Sequence, residues 1–157
     1  MTLIPTQDLY SEILPGLWQG GTHDFDIISY PKEYPIWKSK GEFDCVATLY
    51  ALAHPVGWGI SERRFGFPDS ALDLNSLTDI HVMADWVYEE WKSGKKVLVR
   101  CQMGWNRSGL VTALALMKDG HLAKDAIDLI RARRSPHALC NADFVQYLEN
   151  LSIESNV

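Results

Sequence analysis

The stretch VLVRCQMGWNRSG, residues 97–109, sets Cys101 at the end of an apolar run, with Arg107 and Ser108 just behind it. These residue types at this spacing suit the handling of an anion. If VLVR is a strand and a helix starts at Ser108, the amides of residues 102–107 can turn inward as a nest, and the helix adds its positive N-terminal end. Gln102, Met103, Gly104, Trp105, Asn106 and Arg107 are therefore expected to line a bound phosphate, the planar fork of Arg107 holding two oxygens. Gly104 permits a turn where a side chain would clash, and Gly109 is expected to let the helix pack close to the sheet. The same field should hold Cys101 as a thiolate at neutral pH. A thiolate beneath a phosphate is placed for in-line attack at phosphorus, forming a cysteinyl-phosphate. Ser108, one residue past the arginine, is expected to hydrogen-bond the sulfur and ease its departure in the second step.

Such a reaction also needs a proton donor for the leaving oxygen. Asp69, in FGFPDS between an expected strand and the next helix, is the candidate general acid, with Asp73 as its competitor and a plain turn residue as the alternative for either. Arg100 precedes the cysteine on a buried strand, so alternation turns its side chain to the opposite face of the sheet, away from the phosphate. It then needs a carboxylate or carbonyls nearby, because a buried unpaired guanidinium costs several kcal/mol. In that position it would brace the loop and help keep Cys101 ionised, or be a tolerated substitution. Trp105 is balanced between stacking on an aromatic substrate and packing, and His54 is a weak pocket candidate. Cys45 and Cys140 read as packing residues, with a redox partner for Cys101 left open.

The elements around these residues are legible from periodicity. LPGLWQGG reads as a short strand between turns, FDCVATLY (43–50) as a buried strand and ERRFGFP as a third, with the loop AHPVGWGI between the last two. Leu77, Ile80, Ala84, Val87 and Trp91 share a helical face, started by a capping box of Ser76 with Asp79 and stopped at Gly94. KKVLVR follows as a strand. A second helix runs from Ser108 to Gly120, and AKDAIDLIRARR and NADFVQYLENL give two more, the last capped by Asn141. Strands interleaved with helices indicate an α/β protein. The 157 residues fit one domain, and a formal net charge of -5 argues against a general polyanion-binding surface. No run is apolar enough to span a bilayer, and the N-terminus lacks a secretory pattern, so a cytoplasmic location with reduced thiols is expected. Three cysteines without CxxC spacing point to neither a disulfide framework nor a zinc site, and no metal or cofactor is expected.

The chain resembles the cysteine-dependent protein phosphatases of the dual-specificity type, whose pattern is H-C-x5-R-S/T at the end of a parallel strand. The likeness runs from LPGLWQGG through FDCVATL and VLVRCQMGWNRSGL to RARRSPHALCNADFVQYL. It implies a single domain over 1–157, with 1–14 an N-terminal extension. The implied fold is α/β, with a central, mostly parallel four- or five-stranded sheet flanked by helices and the phosphate loop between last strand and helix. The implied activity is hydrolysis of phosphotyrosine, with phosphoserine and phosphothreonine left open, in proteins or peptides. The family likewise carries an acidic loop upstream of the cysteine, and an asparagine matching Asn141 braces its phosphate loop. Two departures stand out. Arg100 replaces the family's histidine, and Asn106 stands where a serine is usual. GWNRSG is similar to the form found in RNA 5'-triphosphatases of the same fold, which makes an RNA 5' end the second-ranked substrate. Asp69 and the acidic balance weigh against it, and the lack of a lysine between Cys101 and Arg107 weighs against phosphoinositides. A phospho-binding module without turnover is the rival of a different class.

Overall fold

The computed structural model describes residues 8–22 and 43–155. The central strands of its sheet are short apolar runs, while the edge strand after residue 60 is polar and charged. Tyr10–Leu14 (β1) and Leu17–Gly20 (β2) make an antiparallel hairpin, turned at Gly16 with φ +86°. Cys45–Thr48 (β3), Ser61–Arg64 (β4) and Val97–Arg100 (β5) complete five strands in the order β1-β2-β5-β3-β4, every pairing beyond the hairpin being parallel. The sheet therefore has the expected mostly parallel form with five strands. One strand comes from the segment read as an N-terminal extension, since β1 lies within 1–14. Residues 1–7 of that segment fall outside the described residues.

Four helices supply the apolar cover. They are Leu74–Lys92 (α1), Arg107–Lys118 (α2), Ala123–Arg133 (α3) and Ala142–Ser155 (α4). α2 is the central one, with Ser108 through Leu116 all buried. Leu17, Cys45, Ala47, Val97 and Val99 of the strands join Ile80, Val87, Leu110, Leu114, Ile130 and Phe144 of the helices in one main core. Alternation sends the intervening residues to the other face, where Phe43, Val46 and Leu98 form a smaller cluster with Tyr10, Trp18, Val56 and Ile60. All four residues of β5 are buried, as a central strand requires.

The start of α1 differs from the sequence expectation. Its N-cap is Asp73, whose side chain accepts a hydrogen bond from the Asn75 amide at 3.0 Å, so Ser76 and Asp79 lie inside the helix and form no capping box. The helix begins before its apolar stripe does: Leu74 is 81% exposed. The expected end holds, with Ser93 as C-cap and Gly94 at φ +95°. Asn141 caps α4 as expected, its Oδ1 accepting from the amides of Asp143 and Phe144 at 3.1 and 3.2 Å. Asp73→Ala is expected to cost about 1 kcal/mol in urea unfolding. Ser76→Ala should stay within about 0.5 kcal/mol, since the hydroxyl starts no helix.

Candidate active site

Parallel strands β2, β5 and β3 end on one edge of the sheet, and the loop 101–106 leaves β5 there for the N-terminus of α2. Its shape is set by Gly104, which sits at φ +76°; a Cβ there would come within 2.4 Å of the Gly20 carbonyl carbon and 2.6 Å of the Gly21 nitrogen. No side chain fits, and the loop lies directly on the end of β2. The Gly104 carbonyl accepts from Gln19 Nε2 at 3.0 Å and from Arg134 Nε at 3.1 Å. The Met103 carbonyl accepts from Arg134 Nη2 at 3.2 Å, and the Gln102 carbonyl from the Thr22 amide at 3.0 Å. Three successive carbonyls of the loop, those of Gln102, Met103 and Gly104, are thus engaged by partners outside it.

Cys101 lies at the base of this loop, 2% exposed, and its Sγ is 3.3 Å from Ser108 Oγ. The bond runs from the thiol of Cys101 to the Ser108 oxygen. Arg107 is the first residue of α2, so the helix starts one residue before the expected Ser108. Arg107 Nη1 donates to the Phe67 carbonyl at 3.2 Å, its guanidinium lies 5.3 Å from the centroid of the Tyr50 ring, and its buried Nε has no hydrogen-bond partner among the described residues. Gly109 is needed for close packing, but against a different neighbour from the one expected. A Cβ there would meet Leu139 Cγ at 2.9 Å, in the α3–α4 connection, and Gln19 Nε2 of the sheet only at 3.5 Å. Leu139 holds that place with a φ of +58°, its amide tied to the Trp105 carbonyl and its own carbonyl to Arg131.

Asp69 comes to the loop from the segment after β4. Phe65 and Phe67 anchor that segment, their rings stacked at 5.8 Å and Phe67 lying 6.1 Å from Phe144 of α4. The Asp69 carboxylate accepts from Asn106 Nδ2 at 3.0 Å and from Asn141 Nδ2 at 2.8 Å. The structure thus brings Asp69 to the loop that begins at Cys101, and gives Asp73 to the cap of α1. The side chain of Asn141 that caps α4 also donates to Asp69 and to the Ser70 carbonyl, while its backbone amide donates to Asn106 Oδ1 at 2.9 Å. Asn106 is 8% exposed, and its side chain faces these partners and Cys140 Sγ, at 3.3 Å. Trp105 packs on the His137 ring at 5.3 Å. Gln102 and Met103 are exposed, and His54 contributes its backbone carbonyl to Arg100.

Arg100 points to the face opposite the cysteine, as alternation required. It is fully buried, and its Nε donates to Thr48 Oγ1 at 2.9 Å while Nη2 donates to the His54 carbonyl at 2.6 Å and pairs with Glu62 at 3.1 Å. Glu62 also accepts from Thr48 at 2.6 Å and pairs with Arg64 at 3.1 Å. The guanidinium thus joins β5 to β3, β4 and the loop between them. Three further supports were not singled out from sequence: Gln19, Arg134 and Glu62. Arg134 is the strongest of them, bonding the Asp8 carbonyl and Ser11 besides the 101–106 loop. Burial lowers its guanidinium below its ordinary value, opposed by the charges of Cys101 and Asp8. The signals were present: Arg134 follows Ile127 and Ile130 on one helical face, and Gln19 alternates in phase with Leu17.

Among the described residues there is no group of three or more His, Cys, Asp or Glu side chains placed to hold a metal, and no helix long and apolar enough to cross a membrane. The sequence matches the family model described as the dual specificity phosphatase catalytic domain over residues 70–153, just over half of the chain. The chain belongs to that family. A search of curated protein sequences gave no match. Solved structures agree on the fold. Human DUSP28 superposes with a TM-score of 0.76 at 17% identity, covering 98% of this chain and 99% of its own. DUSP15 gives 0.71 at 21%, covering 93% and 88%, and Tk-PTP in its active form 0.57 at 27%, covering 71% and 79%.

Two measurements follow from this geometry. Arg100→Met is expected to cost about 3 kcal/mol in urea unfolding, because it removes the buried cation that Glu62, Thr48 and the His54 carbonyl are arranged around. Arg100→Met combined with Glu62→Met should cost less than the sum of the single changes. Cys45 is 1% exposed, and burial beside Glu90 pushes its thiol up to about 11. Iodoacetamide at pH 8 should therefore leave Cys45 unmodified while labelling other cysteines, as mapped by peptide mass spectrometry.

Proposed function

We propose that the chain is a phosphomonoester hydrolase acting on phosphotyrosine in proteins, and on phosphoserine and phosphothreonine where the pocket admits them, through a cysteinyl-phosphate. The observation that carries the reading is the coincidence of Cys101 Sγ, Ser108 Oγ and Asp69 around one loop whose carbonyls are tied outward. In the first step the Cys101 sulfur attacks phosphorus, the S–P bond forms and the P–O ester bond breaks. The leaving oxygen takes the proton of Asp69. The loop amides and Arg107 hold the three equatorial oxygens, and the partnerless Nε of Arg107 is one donor available for them. In the second step water attacks phosphorus and gives its proton to the Asp69 carboxylate. The S–P bond breaks, with the Ser108 hydroxyl donating to the departing sulfur. Arg100 braces the strand end from the opposite face and touches no substrate.

Asn106 is the residue that suggested an RNA 5'-triphosphatase. Its side chain is engaged with Asp69, Asn141 and Cys140, so its presence is accounted for without RNA. A general acid held against the loop suits an ester with a poor leaving group better than a polyphosphate, whose leaving group needs little help.

Cys101→Ser is expected to abolish turnover of an aryl phosphate while still binding a phosphotyrosine peptide, since a serine hydroxyl there is neither ionised nor as nucleophilic. Steady hydrolysis by this variant would remove the covalent mechanism, and wild-type binding without turnover would make the chain a phospho-binding module. Arg107→Lys should also fail, a point charge being no substitute for the fork. Asp69→Asn should slow phenyl phosphate by about 10²-fold, and an ester with an acidic leaving group far less. At one salt concentration, kcat/KM for phosphotyrosine peptides should exceed that for triphosphorylated RNA.

A further inference from the structure

Asp69 is exposed on its loop, yet neither of its oxygens is left to solvent alone. Oδ1 is held by the side-chain amide of Asn141 at 2.8 Å, and Oδ2 by that of Asn106 at 3.0 Å. The two donors come from different parts of the fold, the N-cap of α4 and the phosphate loop itself. The two residues are also joined to each other, because the backbone amide of Asn141 donates to Asn106 Oδ1 at 2.9 Å. Asn141 Nδ2 further donates to the Ser70 carbonyl at 3.1 Å, fixing the backbone next to the carboxylate. Asn106 can do this because it carries a donor and an acceptor on one planar group, 8% exposed, with its acceptor fixed by α4 and its donor aimed at Asp69. A serine at 106 has a single oxygen on a shorter stem and cannot span both partners.

We propose that Asn106 is a positioning residue that, together with Asn141, holds the Asp69 carboxyl against the phosphate loop before substrate binds. The inference rests on the reading of Asp69 as general acid. A carboxyl oxygen accepting one amide hydrogen bond keeps a second lone pair, so each can still carry the proton it transfers. What the clamp supplies is orientation. A loop carboxyl free to rotate spends little time near the leaving oxygen, whereas one gripped at both oxygens starts there. Asn106 thus links the part of the site that binds phosphate to the part that protonates the leaving group.

The test compares kcat for phenyl phosphate and dinitrophenyl phosphate in wild type, Asn106→Ser, Asn141→Ser, Asp69→Asn and the double variant Asn106→Ser/Asp69→Asn. Asn141→Ser keeps a capping oxygen for α4 while removing the amide donor, so it tests the clamp with little threat to folding. Each single asparagine variant should slow phenyl phosphate about tenfold more than dinitrophenyl phosphate, a fraction of what a positioned acid contributes. Adding Asn106→Ser to Asp69→Asn should then cost phenyl phosphate little more, because the group being positioned is already gone. Equal slowing of both esters by both asparagine variants would overturn the inference. So would a full additional loss in the double variant, which would mean that Asn106 acts on phosphate binding alone. If Asp69→Asn itself fails to separate the two esters, the reading of Asp69 as acid falls, and the inference with it. That outcome is distinguishable, because it is read from the Asp69 variant alone.

Discussion

The site depends on which way one peptide faces. At Gly104 the carbonyl is turned out of the loop, toward Gln19 of β2 and Arg134 behind α3. A backbone amide cannot contribute to an anion cradle unless the neighbouring carbonyls have partners elsewhere, because unpaired buried carbonyls would compete for the same space. Gln19 and Arg134 are those partners. Neither is close to the cysteine in sequence, so the sheet and the α3–α4 connection exist, as far as the site is concerned, to bring two polar side chains to the back of a loop. The left-handed φ of Gly104 and its contact with Gly20 and Gly21 make the arrangement intolerant of any Cβ.

On the opposite face of β5 a second polar network serves the same loop by fixing its entry. Arg100 is the largest fully buried side chain of the described residues, and a guanidinium there is stable only because Glu62, Thr48 and the His54 carbonyl meet it. Breaking the pair therefore costs more than the pair contributes beyond an apolar packing. The network ties the strand that carries the cysteine to its neighbours β3 and β4, and the adjacent chain turn at Tyr50 faces the guanidinium of Arg107.

How much of this could be read from the sequence follows from how local each signal is. Cys101, Arg107 and Ser108 sit in one contiguous stretch whose geometry follows from strand, turn and helix, so their mutual placement was legible. The side to which Arg100 points followed from alternation alone. The partner of Arg100 was legible only as a requirement, since Glu62 reaches it across a strand pairing that no local pattern encodes. Gln19 and Arg134 were missed because a polar residue at a buried phase looks like noise until something buried needs it. The cap of α1 was misplaced for a different reason. Its first turn is exposed, so the apolar stripe starts at Leu77 while the backbone is already helical at Leu74. Asn106 shows the opposite case, a residue whose departure from the family's serine was visible but whose partners lie on two segments distant in sequence.

Strand β4 closes one side of the sheet, and its composition has a bearing on how copies of the chain meet one another. An edge strand offers unpaired amides and carbonyls to any other extended chain, and long flat apolar edges invite such pairing. β4 is four residues long and carries Glu62, Arg63 and Arg64 in succession. Arg63 lies over the Trp86 ring of α1, while Arg64 turns back to the carbonyls of Ala51 and Ala53. The same carboxylate that neutralises the buried Arg100 thus belongs to a short charged border that disfavours strand addition. Glu62 serves the charged edge through Arg64 and the cysteine-bearing strand through Arg100.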